Sequence, residues 1–346
     1  MSRDVFPEYS KTRVDRAGAA VRRGTDTPED LEIIENWRAS HNHILNSWQA
    51  TLRGRIKDKD IIFAQRLKRK NTVFDKLARQ GGMNLSRMHD LAGCRLIFKD
   101  IKDLYEYRTS LHTAHMYHER HKEDETPYPY DYISTPKDTG YRGIHDVYRY
   151  KARKKRPDSW NGLQVEIQYR TTNQHAWATA VEVSGLITGN HAKFERGEED
   201  NKEFFRLSSE IIARVWEQSN SCYPTLSNKE LIDRFDQVEQ RTRLLRRLNG
   251  VQVLAKEQDY LNNLGRRNNL ILSVGENNGK LRVSVSRYQS FPLASAKYFE
   301  FEEKYPDRDI VLVRSDSLDQ VKKAFQNYFG DTKNFVRLIK SGLKKL

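Results

Sequence analysis

The chain has 346 residues, 37% hydrophobic and 31% charged, enough for one sizeable core plus a smaller second unit, and its net charge of +14 suits polyanions such as nucleotides, RNA or ribosomes without choosing among them. Two cysteines, Cys94 and Cys222, with no further Cys or His at ligand spacing, exclude a disulfide framework and a zinc site, and both are expected to be buried thiols in a reducing cytoplasm. No signal-type segment opens the chain and no stretch approaches the ~20 apolar residues that cross a bilayer, so a soluble, cytoplasmic protein without membrane partners is expected.

Residues 29–53 place Leu31, Ile34, Trp37, Ile44, Leu45 and Trp48 at the spacing of an amphipathic helix. A second helix is predicted over about 59–79. On it Thr72 and Lys76 would share a face with Lys68, one and two turns on, with Arg66 just before. Two ammonium groups and a hydroxyl on one face suit a triphosphate, because stacked like charges destabilise a helix unless an anion neutralises them. A solvated basic face is the alternative.

The run LAGCRLIF at 91–98 is short, apolar and glycine-containing, and predicts a buried strand. Asp90 stands at its entry and Arg95 follows the glycine. A carboxylate at a strand edge, joined by a second one from elsewhere, holds magnesium through oxygen ligands; Asp90 as a helix cap is the competing reading. Residues 100–120 have helical period, and STPKDTGYRG at 134–143 predicts a loop. This loop region supplies Tyr132, Lys137, Gly140, Tyr141 and Arg142, followed by His145. Glycine permits close backbone approach, an exposed Tyr can stack a base, and Lys137 or His145 could orient a hydroxyl.

Two strands follow, at 144–151 and 163–170, joined by a basic turn. The second points Leu163, Val165, Ile167 and Tyr169 one way and Gln164, Glu166, Gln168 and Arg170 the other. A wholly polar face on a core strand meets solvent or lines a site, and Glu166 is the candidate partner for Asp90; an ordinary surface ion pair is the alternative. Helices are predicted over 172–187, 201–218 and about 228–264. From about 265 the pattern becomes strand, GENNGK turn, strand, helix, strand, helix and a basic terminal helix, a small α+β unit. Basic clusters lie at 66–70, at 151–156 and at Arg241, Arg243, Arg246 and Arg247.

Four ordered motifs, RLKRKNTVFDK, DLAGCR, DYISTPKDTGYRGIH and EIQYRT, resemble the synthetase domain of RelA/SpoT proteins and small alarmone synthetases over about residues 30–220. The resemblance implies an α+β fold, a nucleotidyltransferase-like mixed sheet flanked by helices, with the small C-terminal α+β domain beyond it. The expected organisation is an N-terminal helical region (1–58), the synthetase domain (59–225), a helical connector (226–264) and a C-terminal domain (265–346) that regulates or recruits a partner.

It further implies a pyrophosphokinase with ATP as donor and Mg2+ as cofactor. Arg66 and Arg95 would sandwich adenine, Lys68, Thr72 and Lys76 would hold the phosphates, and Asp90 and Glu166 would carry the metal, Glu166 also activating the acceptor 3′-hydroxyl. Tyr141 would stack on the acceptor base, with Lys137, His145, Gln168 and Arg170 around its phosphates or ribose. The chain departs from many family members in having Tyr130 where they carry a basic residue. A hydrolase half is not expected, since His89-Asp90 is an isolated dipeptide. The WATAVE stretch and the helical N-terminus resemble the branch that includes toxic members. The acceptor is therefore GDP or GTP, or alternatively the 3′ CCA end of tRNA, with room for an antitoxin or regulatory partner and for a homo-oligomer. A non-catalytic RNA-binding module is the remaining alternative.

Overall fold

Side-chain caps set the first two helices. Ser10 accepts from the backbone of Arg13 to open α1 (Lys11–Arg23), and Thr27 with Asp30 forms a reciprocal capping box at the start of α2 (Pro28–Ile56). The structure, a computed structural model, describes residues 5–114, 117–121, 125, 128–152, 158–188, 195–249, 268–277, 280–305, 308–315 and 332–346. Helix α2 covers the predicted 29–53 segment and buries Ile34, Trp37, Ile44, Leu45 and Trp48.

The predicted helix over 59–79 is half strand. Ile62–Leu67 forms β1, and only Lys70–Arg79 is helical, as α3. In β1 the alternating residues Phe63, Gln65 and Leu67 are buried, and the whole segment pairs antiparallel with β2 (Ala92–Phe98). This long-range pairing overrides the local helical spacing. The helix predicted over 100–120 is likewise shorter: α4 (Ile101–His112) ends before a two-residue strand, β3 (Glu119–Arg120).

With β4 (Ile144–Arg149) and β5 (Gln164–Thr171) the sheet has five strands in the order β1-β2-β5-β4-β3. Only β2 and β5 run parallel, so the sheet is mixed, as expected. Helices α2 and α4 pack on one face, which carries Cys94, Leu96, Val165, Ile167 and Tyr148 into the main core. Cys94 is buried and its thiol is pushed up by burial. Cys222 is only half-buried, short of the expected full burial, and is pushed up to about 11, first by desolvation.

A second core joins α5 (Thr172–Thr188), α6 (Glu195–Glu217), α7 (Asn228–Thr242) and α8 (Leu244–Asn249). The helix predicted over 228–264 breaks at Arg243, which takes a left-handed φ of 53°; its part beyond 249 lies outside the described residues. The C-terminal pattern gives an antiparallel sheet, β6 (Asn268–Asn277), β7 (Lys280–Tyr288) and β8 (Asp309–Ser315), with α9 (Phe291–Lys304) against it. The helix predicted around 318–329 lies outside the described residues. The basic terminal helix, α10 (Thr332–Leu343), packs on α5, α6 and α8, not on this small sheet.

Helix α9 also reaches α2. The buried Arg38 guanidinium pairs with Glu302 at 2.6 Å and lies over the Phe299 ring, while its Nη1 donates to the Lys68 carbonyl at 3.1 Å. Among the described residues no helix is long and apolar enough to cross a membrane.

Candidate active site

The strand register gathers the polar residues. Across three strands Arg66 is level with Gly93 and Gly93 with Glu166; one pleat on, Arg95 is level with Gln168 and Gln168 with His145. Residues level across a sheet share a face, and so do residues two apart along a strand. Arg66, Glu166, Arg95, Gln168, His145 and Arg170 therefore stand on one face, opposite α2 and α4. Gln164, Glu166 and Arg170 are all buried, so the polar side of β5 does not meet open solvent.

Glu166, only 9% exposed, is held from two sides. Gln168 Nε2 donates to its Oε1 at 2.6 Å, and His145 Nδ1 lies 3.2 Å from its Oε2. Burial alone would raise the Glu166 pKa, but His145 and Gln168 hold it well below the usual carboxylate range. Burial would lower that of His145, yet Glu166 and the Tyr141 phenol raise it to about 9, so the imidazole is a cation at neutral pH. Tyr141 Oη meets His145 Nε2 at 2.6 Å and accepts from Arg170 Nη2 at 3.2 Å. Against burial, Arg170 and His145 draw its pKa down to about 8. Arg95 Nε donates to Gln168 Oε1 at 3.3 Å, which ties β2 into the same chain of contacts.

At the entry to β2, Asp90 accepts from Lys68 Nζ at 2.8 Å and from Lys76 Nζ at 2.9 Å. Arg66, Lys68, Thr72 and Lys76 do not share a helix face as predicted, because the chain is extended through Arg69. Arg66 belongs to β1, Lys68 to the turn after it, and Thr72 and Lys76 to successive turns of α3. The ammonium groups of Lys68 and Lys76 still converge on one carboxylate. No side chain caps the N-terminus of α3, so its first-turn amides are directed toward this turn. Burial, with the charges of Arg66 and Lys76, lowers the Lys68 pKa against the pull of Asp90. Asp90 is held low by Lys68 and Lys76 against burial and against the nearby Glu166 charge.

Two ionised carboxylates that feel each other's charge, one at the end of β2 and one on its parallel neighbour β5, supply hard oxygen donors suited to a magnesium ion. The predicted pair thus stands within electrostatic reach of each other, each carboxylate bound to partners of its own. The loop behaves as its composition predicts: Gly140 takes φ +84° against α6, where a Cβ would come within 3.0 Å of Ser209. Lys137 Nζ sits 4.0 Å from the centroid of the Tyr132 ring and 5.4 Å from that of Tyr141.

Two histidines stand near these carboxylates, His89, which the sequence marks only as part of an isolated dipeptide, and His121, which it does not mark. The His89 ring lies 5.2 Å from that of His121, and its pKa is lowered by burial and then by His121, while Glu166 and Asp90 act in the opposite sense. Both belong to the carboxylate end of the sheet. The only signal was the adjacency of His89 to Asp90. The predicted basic turn at 151–156 falls mostly outside the described residues.

Cations gathered around two ionised carboxylates on one sheet face suit a polyphosphate together with a divalent cation. Residues 65–184, which include every residue of that face, match the family described as a region found in RelA / SpoT proteins. Over 190 residues the chain is 27% identical to an uncharacterized protein of Mycobacterium tuberculosis, a match covering 55% of this chain and 63% of that one. Over 185 residues it is 25% identical to a GTP pyrophosphokinase of Escherichia coli, covering 50% of this chain and 20% of that one. The chain thus spans less than two thirds of the length of these relatives. Among solved structures, small alarmone synthetase 1 from Bacillus subtilis bound to its product pppGpp aligns at 22% identity with a TM-score of 0.38, covering 51% of this chain and 88% of that one.

Proposed function

We propose that the sheet domain is a pyrophosphokinase that moves the β,γ-pyrophosphate of ATP onto the ribose 3′-hydroxyl of GDP or GTP. The observation that carries this reading is the convergence of Lys68 and Lys76 on Asp90, beside Glu166 on the neighbouring strand. Lys68, Lys76, Lys137 and Arg170 stand in the same region as these two carboxylates, a set of charges that suits a triphosphate donor and a phosphorylated acceptor. The similarity to a GTP pyrophosphokinase supports a guanine nucleotide as acceptor.

In this reading Lys68, Lys76, Thr72 and the uncapped start of α3 hold the donor phosphates, with Arg66 and Arg95 at the adenine. Asp90 and Glu166 would hold the magnesium ion, which supplies neutralisation of the triphosphate charge. On the acceptor side Tyr141 offers its ring to the base, and Lys137, Arg170 and Gln168 bind phosphate and ribose. The acceptor 3′-oxygen forms a bond to the donor β-phosphorus, the bond from that phosphorus to the oxygen bridging to the α-phosphate breaks, and AMP leaves. Glu166 accepts the 3′-hydroxyl proton. Its low basicity suffices because the hydroxyl loses its proton late in a loose transition state, and the task is mainly orientation. His145, already protonated, holds Glu166 in place and is not the base.

A specific observation keeps tRNA as a second acceptor. Arg246 and Arg247 on α8 and Lys333, Arg337 and Lys340 on α10 are exposed on two helices that pack together, basic groups that suit an RNA backbone. The test incubates the full chain with Mg2+, labelled ATP and either GDP or deacylated tRNA. A 3′-pyrophosphorylated guanosine with stoichiometric AMP is expected, and Glu166→Gln should lower kcat by about 10³-fold or more with the melting temperature little changed. Label at the tRNA 3′ end alone would transfer the reading to RNA. No AMP with either acceptor, or a fully active Glu166→Gln, would overturn it.

A further inference from the structure

Behind the acceptor side lies a buried cluster that touches none of the groups assigned to ATP. Glu217, the last residue of α6, has a side chain only 3% exposed and receives three hydrogen bonds. Arg142 Nη1 and Gln174 Nε2 donate to its Oε2, the latter at 3.2 Å, and Thr171 Oγ1 donates to its Oε1. Gln174 closes the cluster by accepting from the Thr171 amide and donating its own to Thr171 Oγ1, both at 3.1 Å.

The sequence positions of the donors give the cluster its meaning. Arg142 directly follows Tyr141, and Thr171 directly follows Arg170. Tyr141 and Arg170 are the two side chains that meet at 3.2 Å on the open face. One carboxylate thus fastens the residue next to each of them, although the two segments belong to a loop and to a strand 29 positions apart in the chain.

Stability alone does not account for this arrangement. A buried Arg–Glu pair seldom outperforms well-packed apolar side chains, because desolvating two charges offsets their attraction. Here Arg142 Nε and Nη2 are buried without a hydrogen-bond partner, which adds a cost. A carboxylate at a helix C-terminus opposes the helix dipole, and the next residue, Gln218, takes a left-handed φ of 48° that non-glycine residues seldom adopt. Four local costs are accepted at one point, and what they secure is the direction of three hydrogen bonds to a charged acceptor.

We propose that Glu217 is a positioning residue: it locks the Tyr141 loop and the Arg170 end of β5 into one rigid acceptor cradle. The inference deepens the function proposed above and rests on it for the role of Tyr141 and Arg170. Lys68, Lys76 and Asp90 lie outside the cluster, so the effect falls on the acceptor and spares the donor.

The test uses the full chain carrying Arg142→Met together with Glu217→Leu, which removes both charges at once and leaves neither buried alone. The melting temperature falls by no more than a few degrees, since the removed pair's desolvation cost offsets the unpaired Gln174 and Thr171 donors, KM for GDP rises about tenfold or more, and KM for ATP stays within about twofold. Thr171→Val, which removes one bond, gives a smaller rise in the same constant. Hydrogen exchange without any nucleotide speeds up in residues 137–143 and 170–174 of the double variant and nowhere else. Unchanged exchange in those segments shows that the cluster does not hold them, and overturns the proposal whatever the activity. Faster exchange with an unchanged KM for GDP, or with both KM values raised alike, also overturns it. A parent chain that yields no product defeats the functional reading instead, and the exchange experiment still decides whether the tie exists.

Discussion

His145 and Asp146 are neighbours on β4 and, because strand side chains alternate, they serve opposite faces of the sheet. Each face buries a carboxylate. On the face under α2 and α4, Asp146 is 0% exposed and takes bonds from Arg108 Nε at 3.1 Å and Nη2 at 2.7 Å, with His112 Nε2 at 2.6 Å. Burial would raise its pKa, and His112 and Arg108 hold it low. Its charge is matched by protein alone. On the other face Glu166 has an amide and one imidazolium, and the cations around it outnumber the carboxylates. The histidines divide the same way: His41, buried under the sheet, has its pKa lowered by burial to about 4 despite its bond to the Trp37 carbonyl, whereas His145 is raised to about 9. The face under α2 and α4 settles its charges or suppresses them; on the other face, in the function proposed above, they await a ligand.

If that contrast is right, the two carboxylates fail differently. Asp146→Ala leaves the Arg108 guanidinium without its anion in the core and should cost about 3–5 kcal/mol, lowering the melting temperature by roughly 10 °C for a domain of this size. Turnover measured at low temperature should survive, the reverse of Glu166→Gln. Calorimetry of the two variants side by side decides it, and an Asp146→Ala chain that melts with the parent but is inactive would erase the distinction between the faces.

The histidines sharpen the same point through pH. His41 has a folded pKa below its unfolded one, so unfolding takes up a proton as the medium becomes acidic. The stability it contributes is complete above about pH 6.5, falls between 6.5 and 4, and levels off below 4. The loss amounts to about 3 kcal/mol from pH 7 to pH 4. Urea unfolding of the parent and of His41→Leu at both values isolates this share, since all other titrating groups are common to both. Equal acid losses in the two chains would mean that His41 is not held neutral.

How much of this could be read from sequence depends on how far apart the cooperating residues lie. The alternation in β5 announced Glu166, Gln168 and Arg170 on one side, and the motif order tied Asp90 to them, because each signal is local. What sequence left open was whether that side met solvent, and only the neighbouring strands answer it. The helical spacing of Lys68, Thr72 and Lys76 masks β1, because the pairing of Ile62–Leu67 with Ala92–Phe98 that makes it a strand is long-range. Arg142 was noticed as a loop residue without a task, as its partner Glu217 is 75 positions away and carries no motif. The terminal helix looked like part of the C-terminal unit for a similar reason: its apolar stripe fits any core, and Phe335 and Ile339 found that of α5 and α6.

The smallest expected effect probes the polar face at its glycine. Gly93 lies level with Arg66 on one side and Glu166 on the other, and a Cβ there would meet only the Arg66 carbonyl oxygen at 3.8 Å and its Cγ at 4.0 Å. The protein itself therefore tolerates alanine. A strand glycine is also conformationally costly, so Gly93→Ala should stabilise by about 0.5–1 kcal/mol. The same methyl would project between a cation assigned to the adenine and the carboxylate assigned to the metal, and KM for ATP should rise several-fold while KM for GDP changes less. On the covered face a substitution that only adds stability would leave catalysis alone. A Gly93→Ala chain that is more stable and has the parent's KM for ATP would show that no ligand passes over this row of the sheet, and would move the donor away from the strand surface toward the start of α3.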